Sequence, residues 1–222
     1  IKSSWAPLHV ASQHEHKEII QFLLDQGANI NIANSTGATP LHIAAQLQNV
    51  TITEFLLKHG AKPDVADRDQ ETPLFIAITA NRIEIVQCYI NYHVNVNHAN
   101  KSKTTPLHLA CKFGFKEIAD LLIKNNANVN ATDGLRNTPL HYATIAKNKD
   151  IVNMLIEKNA DTLIKNSAGK SPLSLANPEI EGILYKSYRK LAFANPNTDQ
   201  QQQIEENENV NENEEIQNDQ NQ

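Results

Sequence analysis

The chain is poor in the residues that most readily announce a function. It has two cysteines, one methionine and one tryptophan. Cys88 and Cys111 lie far apart, each inside an apolar helical pattern, which excludes a disulfide framework and suits small buried side chains in a reducing compartment. No apolar run approaches the roughly 18–20 residues that a membrane helix needs, and no basic segment followed by a hydrophobic stretch opens the chain. The seven glycines never cluster into a phosphate-cradling loop, and Cys and His are nowhere grouped at metal-ligand spacing. These absences predict a soluble intracellular protein, cytoplasmic rather than nuclear, with no cofactor, no metal and no membrane span.

Positive charge is also missing from one region, because no Lys or Arg follows Lys190. Eight of the 25 acidic residues fall in segment 195–222, leaving 17 acids against all 20 basic residues in the body. The body therefore carries +3 and the tail −8. A charge of +3 over so long a body is far from the dense Lys/Arg footprint of a nucleic-acid binder, so no nucleic-acid partner is expected. The tail is rich in Asn, Gln and Glu with few apolar residues, cannot bury enough surface to fold, and is expected to be a disordered acidic extension. It is long enough to fold back on basic residues of the last repeats as a weak competitor.

What the chain has in abundance is periodicity. Pro7, Pro40, Pro73, Pro106, Pro139 and Pro172 are each 33 residues from the last. Each is followed by Leu and, after the first, preceded by Thr or Ser, as in TPLHIA, TPLHLA and NTPLHYA. A hydroxyl residue before Pro is a helix start, since the oxygen caps a free N–H and Pro costs nothing at the first helical position. A second, more apolar segment follows each start: KEIIQFLL, TITEFLLK, IEIVQCYI, KEIADLLI and DIVNMLIE. Its apolar spacing is helical. This helix is expected to end at Gly27, Gly60, His93, Asn126 and Asn159, types that tolerate the left-handed conformation, His93 being the awkward member. Polar, turn-rich links such as NIANSTGA and NVNATDGLRN suit projecting hairpins.

This pattern resembles the ankyrin repeat, whose signature includes Thr-Pro-Leu-His and a Gly-Ala followed by loop Asn. Gly27-Ala28-Asn29-Ile30-Asn31 and Asn126-Ala127-Asn128-Val129-Asn130 carry the second element. The resemblance implies an all-α repeat solenoid of six helix-turn-helix units with β-hairpin or loop connections, residues 1–194, followed by the tail, 195–222. Departures are local. Phe75 and Ser174 replace the motif His, Asn81 and Lys147 replace the Gly of the helix-to-helix turn, and Pro178 interrupts the sixth unit, as befits a terminal cap. The first unit instead looks internal, because EIIQFLL is as apolar as any later copy. Further repeats are therefore expected ahead of Ile1.

Several tempting sites have structural readings. His9, His42, His108 and His141 recur once per repeat, so stacking spaces them about 10 Å apart, too far for one zinc ion. They are expected to bond backbone or hydroxyls near the hairpins. Glu18, Glu84, Glu117 and Asp150 open second helices, where negative charge suits the helix dipole and paired-carboxylate catalysis is not implied. Sequons at Asn34, Asn49, Asn100 and Asn130 are expected from the abundance of Asn alone.

The resemblance implies protein binding through hairpin tips and a concave groove lined by first helices. Carried over by position, the groove candidates are Leu47, Lys112, Phe113 and Ile145, and the tip candidates Arg68, Lys101, Lys103, Leu135 and Arg136. An apolar centre of Phe113 and Ile145 flanked by Lys101, Lys103, Lys112 and Arg136 would suit a partner with an acidic-hydrophobic surface. The expected function is a non-enzymatic scaffold or adaptor, with no sign of a homo-oligomer. Two other readings stay open: the targeting module of a larger enzyme, such as a kinase or acyltransferase, and a repeat-only assembly chaperone or inhibitor.

Overall fold

The structure is a computed structural model that describes residues 4–194, with side chains through residue 189. The tail at 195–222, and any repeat ahead of Ile1, lie outside the described residues. Among these residues the elements come in helical pairs: α1 (Pro7–Gln13) with α2 (Lys17–Asp25), α3 (Pro40–Ala44) with α4 (Val50–Lys58), and α5 (Pro73–Thr79) with α6 (Ile83–Asn91). Then come α7 (Pro106–Phe113) with α8 (Lys116–Lys124), α9 (Pro139–Ile145) with α10 (Lys149–Glu157), and α11 (Pro172–Leu175) with α12 (Pro178–Ala194). The 33-residue units are thus six helix pairs, and every first helix begins at its Pro.

Apart from α12, the helices have four to nine residues, too short to persist alone. Stacking supplies what propensity cannot. Leu41, Leu74, Leu107 and Leu140 from the first helices and Ile52, Ile85, Ile118 and Ile151 from the second are all buried in one continuous core. The small residues of the first helices, Ala44, Ala77, Ala110 and Ala143, are fully covered, which lets the pairs approach closely.

Second helices stop where the sequence says they should. Gly27, Gly60, His93, Asn126 and Asn159 all take positive φ, 57° at His93. The helix-to-helix turn uses the same conformation at Glu15, Asn81, Gly114 and Lys147, but Gln48, at the equivalent place, does not adopt it. There α3 ends early, at Ala44. Arg82 then donates from Nε to the Gln46 carbonyl at 3.2 Å, tying the irregular turn to the next repeat.

The links differ from full hairpins, since no strand forms among the described residues. Each is a tight turn closed by two backbone bonds at one residue, such as Asn100 N–H to the Thr104 carbonyl at 3.0 Å and Lys103 N–H to the Asn100 carbonyl at 2.8 Å. The side chain of Asn34, Asp67, Asn100, Asp133 or Asn166 accepts from the N–H groups two and four residues on, which folds the tip without a ladder. Neighbouring tips are strung together by main-chain bonds. Arg68 N–H reaches the Thr36 carbonyl, Lys101 that of Asp69, Gly134 that of Ser102 and Ser167 that of Leu135.

Pro178 does not merely separate the sixth pair; it is the first residue of α12, and the Asn177 carboxamide oxygen accepts from Ile180 N–H at 3.0 Å. This last helix runs 17 residues and buries Ile180, Leu184 and Tyr188 against the stack.

Candidate functional site

Two polar ladders run along the stack, and they decide what the recurring residues do. In repeat two the Thr39 main-chain N–H donates to His42 Nδ1 at 3.1 Å, with Thr39 Oγ1 2.9 Å from the same nitrogen. An N–H can only donate, so the imidazole proton sits on Nε2. Nε2 donates in turn to the Glu71 carbonyl, 3.1 Å away in the next repeat. His9, His108 and His141 repeat the arrangement with the carbonyls of Ala38, Asn137 and Lys170 at 2.9, 3.0 and 3.0 Å. Each histidine stitches its own helix start to the tip of the following repeat, as the sequence reading anticipated. Burial holds the imidazoles of His42, His108 and His141 below the ordinary 6.5.

The second ladder is made by Asn31, Asp64, Asn97 and Asn130, whose side-chain oxygens accept from the N–H of Lys62, Asn95, Asn128 and Asp161 in the next repeat, at 2.7–3.1 Å. Three of the four sequon asparagines are structural in another way: Asn34 and Asn100 fold tips, and Asn49 caps α4 by accepting from Thr51 N–H. The fourth, Asn130, belongs to the ladder. Glu18, Glu84, Glu117 and Asp150 occupy first turns of second helices. Asp150 also pairs with Lys116 at 2.9 Å across adjacent repeats. No group of three or more His, Cys, Asp and Glu is placed to hold a metal ion among the described residues.

The binding candidates divide into two sets. Phe113 and Ile145 end α7 and α9 and stay 46% and 58% exposed. Lys112 Nζ lies 5.8 Å from the Phe113 ring centroid, and Phe115 packs on the same ring at 5.5 Å. Phe115, absent from the sequence-based set, completes this aromatic pair across the left-handed Gly114. Leu47 differs from the expectation of an exposed anchor. It is half-buried and packs on the core, because the short α3 and its irregular turn fold it inward.

The tip residues form the other set. A first helix of seven or eight residues is about 10–12 Å long, and the tips adjoin its start while Phe113 and Ile145 mark its end. The expected cluster of Phe113 and Ile145 ringed by Lys101, Lys103, Lys112 and Arg136 is therefore not one patch. Of these four cations, Lys112 shares α7 with Phe113 and sets its ammonium over that ring. Leu135 is 64% exposed at the Asp133 tip, which leads into α9. Lys101 is paired with Asp69 at 3.5 Å, while Arg68, Lys103 and Arg136 form no ion pair among the described residues. Lys103 and Arg136 take the left-handed conformation, with φ 57° and 59°, where Gly37 and Gly169 stand in other tips.

Beneath the Leu135 tip lies the buried carboxylate of Asp133. It accepts from Leu135 N–H and Asn137 N–H and from the Tyr142 hydroxyl at 2.7 Å. Burial and this bond push the Tyr142 hydroxyl up to about 12. The tip that offers Leu135 is thus braced from α9, which suits a rigid recognition surface.

Family models for ankyrin repeats agree with this architecture. One for ankyrin repeats in three copies matches residues 2–67 and 63–133, and another for ankyrin repeats in many copies matches 122–176. The chain belongs to the ankyrin repeat family. The matched region ends between α11 and α12, where α12 departs in length. No curated protein matches the chain. Members of the family are in general protein-interaction modules and typically non-catalytic, and no helix among the described residues is long and apolar enough to cross a membrane.

Proposed function

We propose that this chain is a non-enzymatic scaffold or adaptor that binds a partner protein through the ends of its first helices and the tips of its turns. The observation that carries the reading is the exposure of Phe113 and Ile145 on successive first helices of a stack in which, among the described residues of repeats two to five, Tyr92 and Leu135 are the only other exposed large apolar side chains. Lys112 beside the Phe113 ring, and Lys103 and Arg136 on the tips above, give the surface a positive rim. That rim suits a partner with an acidic-hydrophobic segment, the apolar residues on the helix ends and the acids toward the tips. Such a partner lies along the first-helix groove and engages the chain as a monomer in the cytoplasm. Residues 1–194 form the binding domain, and 195–222 its acidic extension.

The test compares the intact chain with a Phe113→Ala/Ile145→Ala variant in affinity capture from native extract. A partner retained only by the intact chain, from a variant whose unfolding midpoint is unchanged, supports the reading. Equal capture by both removes these residues from the interface and turns attention to Leu135 and Arg136.

A further inference from the structure

One furrow of the first-helix surface is apolar from end to end, and it lies between α7 and α9, neighbours in the stack. Among the described residues these are the only first helices that end on an exposed large apolar side chain, Phe113 and Ile145. The tips single out the same place. Counted from its Asn or Asp, the third residue of a tip is Thr36, Asp69, Ser102 or Ala168 in four of them, and Leu135, exposed and apolar, in the one that leads into α9.

The ground between tip and helix ends is apolar as well. Leu109 lies four residues before Phe113 on α7, and Tyr142 three before Ile145 on α9, so each pair shares a helical face. Leu109 and Tyr142 are half-buried against the core. Tyr142 joins the parts: its ring meets His108 of α7 edge-on at 5.9 Å, and its hydroxyl is held by Asp133, beneath the Leu135 tip, at 2.7 Å. A braced apolar floor thus connects Leu135 with the helix ends. At its tip end Arg136 and Lys103 are exposed and form no ion pair among the described residues.

The dimensions select the occupant. Residues four apart on a helix are about 6 Å apart along its axis, and alternate residues of an extended chain are about 6.6 Å apart. One apolar side chain seated between Phe113 and Ile145 therefore places the second one after it between Leu109 and Tyr142. Two or three residues more reach the tip. A helix suits the furrow less well. Neighbouring helices pack about 10 Å apart, and a helix with its side chains is about 10–12 Å across, so it would ride on Phe113 and Ile145 without reaching the floor.

We infer, resting on the protein-binding reading above, that the α7–α9 furrow takes an extended segment of the partner with two large apolar residues at alternate positions. An Asp or Glu two or three positions beyond them, on the tip side, meets Arg136 or Lys103.

The test is selection of random dodecapeptides displayed on phage against the 222-residue chain. Binders are then measured on a Phe113→Ala/Ile145→Ala variant whose urea midpoint is unchanged. Enriched peptides should share apolar residues at alternate positions with an acid two or three beyond, and should bind the variant at least about tenfold more weakly. Replacing that acid by its amide should weaken binding to the intact chain about fivefold, and leave binding to an Arg136→Ala/Lys103→Ala variant unchanged. Peptides whose apolar residues stand three or four apart, and which depend on Phe113 and Ile145, would overturn the extended segment in favour of a helix and leave the protein-binding reading standing. An amide replacement without effect on the intact chain would remove the acid from the tips and overturn the proposed segment in the same way. Peptides indifferent to Phe113→Ala/Ile145→Ala, or no enrichment at all, would overturn both the segment and the use of these residues in binding.

Discussion

Removing one imidazole from the histidine ladder should cost far more than a surface substitution, and repeat three supplies the natural control. His108 is fully buried. Its Nδ1 takes the Thr105 N–H at 3.1 Å, its Nε2 donates to the Asn137 carbonyl at 3.0 Å, and its ring meets Tyr142 edge-on at 5.9 Å. His108→Ala leaves a buried N–H and the Thr105 hydroxyl without that acceptor, at about 1–3 kcal/mol for each group orphaned. It also forfeits about 1 kcal/mol of ring contact, so the whole should come to about 4 kcal/mol. Repeat three already places Phe75 there, buried, edge-on to His98 at 6.2 Å, over a Thr72 whose side chain makes no capping bond. His108→Phe keeps the volume and should cost about half as much. Urea unfolding of the three chains, followed by far-ultraviolet circular dichroism, measures both differences. A cost below about 1 kcal/mol for His108→Ala would show that the ladder contributes little and that apolar stacking alone holds the repeats in register.

Three further outcomes follow from the same geometry. Burial keeps His42, His108 and His141 neutral below the ordinary 6.5, so the unfolded chain binds more protons as the medium is acidified. Their contribution is complete above about pH 6.5 and is lost as pH falls through the folded-state values, so the urea midpoint should drop on the acid side, less steeply in His108→Phe. At the tips, Lys103→Gly and Arg136→Gly relieve a left-handed non-glycine residue and should raise stability by about 0.5–1 kcal/mol. Gly37→Ala should destabilise more than Gly169→Ala, because a Cβ at Gly37 would sit 2.8 Å from the Arg68 main-chain nitrogen while one at Gly169 meets nothing within 4 Å; thermal unfolding ranks all four. Finally, Cys88 and Cys111 are buried free thiols, pushed up by burial, Cys88 to about 11. Iodoacetamide should label neither until urea opens the stack, and mass spectrometry of the native protein checks this.

Much of this fold is legible in the sequence because its signals are local and repeated. Thr-Pro marks a helix start through one hydroxyl and one fixed φ, and Gly, Asn or His93 marks a helix end through one dihedral. Neither depends on the rest of the molecule. Less legible are features set between repeats. Nothing near Gln48 says that α3 stops at Ala44, because the group that holds the turn is Arg82, one repeat later. The inward fold of Leu47 follows from that turn and was equally invisible. The tips illustrate the same limit: Asn100 and Asp133 fold them by side-chain acceptance from their own backbone, an arrangement that closes the chain in fewer residues than a strand pair needs.

The candidate site shows why position alone assigns surfaces better than it assembles them. Phe113, Ile145, Lys103 and Arg136 were each placed by the repeat register, yet register runs along the stack and says nothing about separation across it. A first helix of seven or eight residues intervenes between tip and helix end, about 10–12 Å, so basic tips and apolar helix ends form two rows. Their spacing constrains any single partner. A compact acidic helix seated on Phe113 and Ile145 would leave Lys103 and Arg136 beyond direct ion-pair reach, whereas an extended segment crossing the rows would meet both, at about 3.3 Å per residue, within three or four residues. Combining Phe113→Ala with Arg136→Ala separates these cases. Losses that exceed additivity would place both residues under one rigid element. Additive losses fit an extended segment with independent contacts, the form that the two-row geometry favours.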